Sequence, residues 1–199
     1  MKLYYSTTSP YSRKVRVVAI EKGLGARVEL DLASPWPDPA AIVPFNPLGK
    51  VPVLITDDGL ALYDSPVICE YLDACGGGPA LIPATGRARW EVLRRQALAD
   101  GLLDAAVVIV LEGRRPAGER SADAQRRATE AIRRAVAAIA TDVPAPAAPF
   151  DLGAIAIAVA LGYLDFRLPE LGAGAAHPAL RDWSSAMRDR PSMSATRPP

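Results

Sequence analysis

The chain has 199 residues, 50% of them hydrophobic, and its 23 Lys and Arg face 22 Asp and Glu for a formal net charge of +1. That length suits one large domain or two small ones with a buried core. So even a charge balance gives no global electrostatic case for nucleic acid or an anionic membrane as partner. Met1 to Tyr5 runs straight into a strand pattern, with no charged segment followed by an apolar one, so no export signal is expected and the cytoplasm is the default location. Leu3 to Ser6 reads as a first strand. Ser9-Pro10 then opens a helix with Tyr11, Val15, Val18 and Lys22 on one stripe, ended by Gly23. Val28, Leu30 and Leu32 alternate with Arg27, Glu29 and Asp31 in a second strand, which makes a β-α-β unit with parallel strands and a right-handed crossover. Residues 33–45, with Pro35, Trp36, Pro37, Pro39 and Pro44, form a loop or a short broken helix.

The segment Asn46-Pro47-Leu48-Gly49-Lys50-Val51-Pro52-Val53-Leu54 carries most information. Proline cannot donate to a strand ladder, so Pro52 marks a strand edge or a strand's first residue, and a cis bond at a tight turn is one option there. Either way Val51 has its backbone N–H and C=O facing outward. Val53-Leu54-Ile55 and Leu60-Ala61-Leu62-Tyr63 flank Thr56-Asp57-Asp58-Gly59, a hairpin pattern. Ser65 then reads as an N-cap and Pro66 as the first residue of a helix reaching Ala74. Such a start presents free N–H groups and a positive dipole end, which attract an anion. One extended, peptide-like ligand bearing a carboxylate fits both features. The order βαβ, loop, ββα is that of a thioredoxin-like fold. Cys69 and Cys75 have neither metal-ligand spacing nor a Cys-x-x-Cys pair and read as reduced cytosolic thiols.

The pattern changes near Gly76-Gly77-Gly78-Pro79. Residues 1–77 are assigned to an α/β thioredoxin-like domain, 78–86 to a linker, and 87–199 to an all-α helical bundle. Helices are expected over Arg87 to about Glu112, Ser121 to Ala140, Asp151 to Phe166 and Pro178 to Arg190, with a Pro/Ala loop over 143–149. Leu152 to Leu164 is uncharged and apolar, but its thirteen residues fall short of the about 20 a bilayer core needs. It is expected as a central core helix with Asp151 as N-cap.

Thr8-Ser9-Pro10-Tyr11-Ser12-Arg13-Lys14-Val15, the Asn46-to-Leu54 segment and Asp64-Ser65-Pro66-Val67-Ile68 resemble the three signature segments of the cytosolic glutathione transferase superfamily. The second half agrees, with Gly162-Tyr163-Leu164-Asp165-Phe166 ending the buried helix and His177-Pro178-x-Leu180-x-x-Trp183 near the close, so the likeness covers essentially the whole chain. The Ser-Pro form of the first segment is similar to the serine-type and bacterial branches. One departure is visible: the family's buried helix usually starts Ser/Thr-x-x-Asp, and here it starts Asp151-Leu152-Gly153-Ala154. Asp151 can still cap, without the reciprocal acidic partner.

The resemblance implies glutathione as co-substrate, no metal, and conjugation of its thiol to a small hydrophobic electrophile in a detoxifying, homodimeric enzyme. A thiol with a reference pKa of about 8.5 is mostly protonated at neutral pH and a poor nucleophile in that form. Ser9, at the strand-to-helix turn, can donate its hydroxyl to the sulfur anion while the helix dipole adds positive potential. Lowering the thiol pKa by about two units takes about 2.7 kcal/mol, within reach of one charge-assisted hydrogen bond plus a dipole. By the same resemblance, Val51 pairs through its backbone with the cysteinyl part and the bond to Pro52 is cis. Asp64 and Ser65 receive the γ-glutamyl ammonium and carboxylate, and Lys50 is a candidate partner for the glycyl carboxylate. Tyr5, Tyr4 and Thr8 are rival thiolate donors. Asp100, which shares a helix face with Asp104, is a candidate acidic contact from a neighbouring subunit. An acceptor pocket is expected to involve Leu103 and Val107. His177 reads as structural, and the arginines over residues 87–134 as a solvated helical surface. Two other functions share the motifs: a glutathione-dependent peroxidase, and a non-catalytic glutathione-binding or stress-associated protein. Disulfide exchange is disfavoured because Thr8-Ser9-Pro10 contains no cysteine.

Overall fold

Short runs of alternating apolar residues build a four-stranded sheet, ordered β2-β1-β3-β4 from β1 (Lys2–Tyr5), β2 (Glu29–Leu32), β3 (Val53–Ile55) and β4 (Ala61–Leu62). Strand β1 pairs parallel with β2, and β3 runs antiparallel to both β1 and β4. The parallel pair is joined by helix α1 (Pro10–Glu21), and α2 (Ser65–Cys75) follows β4. This computed structural model describes residues 1–143, 145, 148–172 and 176–199. They pack as two units: Met1–Ala84 together with Pro191–Pro199, and Thr85–Arg190.

Alternation along the strands gives the sheet of the first unit two faces. Leu3, Leu54 and Leu62 occupy one register row, with Leu3 and Leu54 fully buried, and α1 and α2 supply Val15, Val18, Ile68 and Leu72 as buried partners of that core. Tyr4, Val53, Ile55 and Ala61 point the other way, into a cluster with Ala33, Ile42, Phe45 and Val51 from the segment that links β2 to β3. Tyr4 stacks on Phe45 with ring centroids 5.1 Å apart. The expected apolar row of the second strand turns outward: Leu30 and Leu32 are exposed, because β2 is an edge strand. The segment over 33–45 is a set of turns, in which Ile42 and Val43 N–H groups both bond the Pro39 carbonyl.

A buried ion pair ties the helices of this unit together. The ammonium of Lys22, at the end of α1, lies 2.9 Å from the Asp73 carboxylate of α2 and donates also to the Pro79 carbonyl at 2.9 Å. Asp73 accepts the Leu81 and Ile82 N–H groups, each at 2.9 Å. A Cβ on Gly76 would sit 2.5 Å from Lys22 Cβ, so the chain can pass this point only without a side chain. The final residues close the same unit. Residues 191–199, expected in the helical half, pack with the first: α7 (Pro191–Ala195) receives the buried Arg13 guanidinium of α1 at the Met193 carbonyl, 3.1 Å away. Burial, with Arg197 and Arg16 nearby, pushes the Arg13 pKa down to about 10, so it stays charged at neutral pH.

The second unit holds α3 (Gly86–Arg114), α4 (Ala122–Thr141), α5 (Leu152–Arg167) and α6 (Pro178–Arg188). The expected closing helix stops at Arg188, and Pro191 opens α7 separately. Pro144, Pro146 and Ala147 of the expected Pro/Ala loop lie outside the described residues. Helix α5 is buried from Leu152 to Leu161, the uncharged core helix that its composition implies. Among the described residues no helix is long and apolar enough to cross a membrane. Asp151 caps α5 by accepting the Ala154 N–H at 2.9 Å, and its second oxygen pairs with Arg95 of α3 at 2.8 Å. An inter-helix arginine thus takes the carboxylate left without a capping box. The two helices approach closely because Gly153 has no side chain: a Cβ there would meet Arg95 Cβ at 2.9 Å and the Val92 carbonyl at 3.0 Å.

Replacing Asp73 by Ala leaves the buried Lys22 ammonium without its counter-charge, and is expected to cost about 3–5 kcal/mol, read as a lower urea midpoint. Two glycine-to-alanine changes should have opposite signs. Gly153→Ala forces α3 and α5 apart and lowers stability by about 1–3 kcal/mol. Gly101→Ala, inside α3 with nothing within 4 Å of the new Cβ, raises it by about 0.5–1 kcal/mol in the same titration.

Candidate active site

Register brings the motif residues to one end of the sheet. Tyr4 of β1 faces Val53 of β3, and Leu54 of β3 faces Leu62 of β4. Continuing those antiparallel pairings past the strand ends sets the chain leaving β1 toward Ser9, the Val51-Pro52 approach to β3, and the Asp64-Ser65 exit from β4 side by side. Helices α1 and α2 both begin at this end, so the positive ends of two helix dipoles sit there.

Ser9 is the N-cap of α1. Its backbone is extended (φ −76°, ψ 121°) and its Oγ accepts the Ser12 N–H at 3.2 Å, while its own N–H donates to the Ser6 carbonyl at 3.2 Å. A hydroxyl that accepts from its helix still has its proton to give. Pro10, which has no N–H to satisfy, occupies the first helical position. The nearby Thr8 Oγ1 lies 3.5 Å from Ser6 Oγ, a marginal contact. Tyr5 faces α1, whose Arg16 guanidinium covers its ring 5.0 Å from the centroid. Tyr4 is on the opposite face, against Phe45 and the apolar cluster.

The Val51-Pro52 bond is cis, and the Val51 side chain is buried in the cluster with Ile42 and Val53. Only its backbone is left for recognition. Lys50 is exposed just before it. Asn46, which the sequence reading assigned no role, is buried and organises the turn: its Oδ1 accepts the Leu48 N–H at 3.0 Å and its Nδ2 donates to the Lys50 carbonyl at 2.9 Å. The cue was the Asn-Pro pair, since an Asn side chain readily bonds the backbone two residues on. Gly49 completes the turn at φ +62°, with Pro39 only 3.1 Å from where a Cβ would stand.

At the third corner the helix begins one residue earlier than expected. Ser65 is already helical, Pro66 is second, and Asp64 is the N-cap, with no side-chain bond to the helix. Ser65 is therefore a first-turn residue whose own N–H points out of the helix end. It is 1% exposed, whereas Asp64 is open to solvent. The Tyr63-Asp64 bond is also cis. A hydroxyl, an uncapped helix start and a free carboxylate can take the carboxylate and ammonium of one α-amino acid group.

The remaining candidates belong to the second unit. Asp100 is half-buried on α3 in the second unit, and Leu103 of the same helix is fully buried core. His177 is the N-cap of α6 without a side-chain cap bond. Among the described residues, no three His, Cys, Asp or Glu side chains cluster as metal ligands.

Comparison with known proteins identifies the family. Residues 8–75 match the family described as Glutathione S-transferase, N-terminal domain. A protein of Escherichia coli strain K12 named Uncharacterized GST-like protein YibF is 37% identical over 202 residues, spanning 100% of this chain and 99% of that one. A crystal structure of a glutathione transferase family member from Pseudomonas fluorescens Pf-5, with bound glutathione, superposes at a TM-score of 0.95 with 44% identity, over 100% of this chain and 98% of that chain. A second structure of a family member from the same organism, with bound S-(propanoic acid)-glutathione, gives 0.91 and 43% over the whole of both chains. With full-length identity of this order and a fold of the same two parts, the chain belongs to the glutathione S-transferase family.

Proposed function

We propose that this protein is a cytoplasmic glutathione transferase of the serine-type, bacterial branch, in which Ser9 holds the glutathione thiol as thiolate for addition to a small hydrophobic electrophile. The observation that carries this reading is the placing of the Ser9 hydroxyl at the start of α1, bonded to Ser12 N–H and with its proton to give. A serine there can donate to a sulfur anion already favoured by the helix dipole. Ser9 is preferred to Tyr5, whose ring is covered by Arg16, and to Thr8. The Val51 backbone binds the cysteinyl part, Ser65 and Asp64 bind the γ-glutamyl end, and Lys50 pairs with the glycyl carboxylate.

The ligand in the Pseudomonas fluorescens relative adds support for conjugation over peroxide reduction, because S-(propanoic acid)-glutathione carries a new carbon–sulfur bond. In the proposed step the thiolate lone pair forms that bond at the electrophilic carbon. The displaced electron pair leaves with the departing group, or is protonated where the acceptor is an activated alkene. Assembly as a homodimer, with Asp100 of a second copy reaching glutathione, completes the reading; sedimentation of the purified chain reads the stoichiometry.

Steady-state turnover of a chlorodinitrobenzene-type acceptor tests the assigned chemistry. Ser9→Ala is expected to lower kcat/KM by about ten- to a hundredfold, the loss of one charge-assisted hydrogen bond. Without that donor the bound thiol's pKa rises toward its free value, so the variant's rate should recover as pH is raised through about 8 to 9. Turnover unchanged in rate and pH profile would remove Ser9 from the mechanism. For the binding half, Ser65→Ala should lose retention on immobilised glutathione, with an affinity about tenfold or more below that of the parent. Wild-type retention without turnover across a broad panel of electrophiles would instead favour a binding protein.

A further inference from the structure

The turn before Val51 is wound around one side chain. Asn46 is buried, its backbone N–H donates to the Ile42 carbonyl at 2.9 Å, and its own carbonyl accepts the Gly49 N–H at 2.9 Å. Its side chain then closes the turn twice, through Oδ1 to Leu48 N–H at 3.0 Å and from Nδ2 to the Lys50 carbonyl at 2.9 Å. The last bond matters most for the site. The Lys50–Val51 peptide is trans, the cis bonds of the chain lying elsewhere. A trans peptide is planar, with C=O and N–H pointing in opposite directions. Fixing the Lys50 oxygen on Asn46 therefore fixes the Val51 N–H on the far side of the same plane. No backbone carbonyl among the described residues accepts that N–H.

We propose that Asn46 is a positioning residue for glutathione: by holding the Lys50 carbonyl it aims the Val51 N–H at the cysteinyl carbonyl of the ligand. It touches neither glutathione nor the electrophile, and it acts through a peptide plane. The inference rests on the glutathione reading above and adds to it the group that orients its central backbone contact. Sequence alone gives Val51 little weight, since any residue supplies an N–H; the direction of that N–H is what Asn46 contributes.

The test is calorimetric titration with unreactive S-methylglutathione. Asn46→Ala should weaken binding by about tenfold or more, the value of one well-made hydrogen bond. Asn46→Asp keeps the acceptor for Leu48 and, when ionised, has no hydrogen to give Lys50. At about pH 8 it should bind as poorly as the alanine variant. At about pH 5 the raised pKa of a buried carboxyl leaves a growing fraction protonated and able to donate, so its deficit relative to wild type should shrink while that of Asn46→Ala stays constant. A binding stoichiometry near one at both pH values separates that divergence from loss of folded protein. Affinity within about twofold of wild type in Asn46→Ala, or a deficit in Asn46→Asp that is the same at both pH values, overturns the proposal. Should neither variant fold, the wild-type Val51 amide must shift and gain exchange protection in 15N NMR when the ligand is added, and an unmoved resonance overturns it. Asn46-dependent affinity in a protein without turnover supports this inference while removing the transferase reading.

Discussion

Strand β3 is three residues long, yet the arrangement of the candidate site depends on its being bonded on both sides in antiparallel register. That pairing brings the chain leaving β1, the chain entering β3 and the chain leaving β4 to a common end, together with the starts of α1 and α2. A slip of one residue would also exchange the faces of Val53 and Leu54, which belong to different cores. Packing on both faces of the sheet thus enforces the alignment that gathers the candidate site. The cis bond at Val51-Pro52 lies at the amino end of β3, where a proline removes no ladder hydrogen bond.

Polar burial does the complementary work. The Lys22–Asp73 pair, with its bonds to Pro79, Leu81 and Ile82, organises the chain after α2, and the Arg95–Asp151 pair joins α3 to the cap of α5. The first is completed by backbone groups, which is what lets a charge be buried at tolerable cost, and the second, half-buried, by the capping role of Asp151. Each also sits beside a glycine, Gly76 or Gly153, whose missing Cβ lets the partners close.

Much of this architecture was legible in the chain itself. The β-α-β opening, the hairpin, the helix start at Ser9-Pro10, the helix cap at Asp151 and the buried α5 all follow from local patterns, because each is decided by periodicity or by a capping side chain. What escaped depends on contacts distant in sequence. Leu30 and Leu32 alternate as a buried row would, and only the strand order reveals that β2 is an edge. Lys22 reads as the end of an amphipathic stripe until Asp73 is beside it. Ser65 was expected as the cap, and Asp64 holds that place by a shift of one residue, within the usual uncertainty of a helix end. The places of Ser9 and Ser65 at helix starts and of Val51 before a proline were apparent from their neighbours, whereas the two side-chain bonds of Asn46 needed the closed turn.

The first unit is discontinuous, since it is built from residues at both ends of the chain. Arg13 finds its acceptor at Met193, 180 positions further on, and Glu21 accepts a hydrogen bond from the Ser192 hydroxyl. On a ribosome adding about 5–20 residues per second, that interval is roughly 10–40 s. Throughout it, the Arg13 guanidinium has no native acceptor, because Met193 has not been made. The half of the molecule that begins first is therefore also the one that finishes last, and the helical unit, encoded between its two parts, can be complete before it. Order of synthesis and order of completion run opposite ways in this chain.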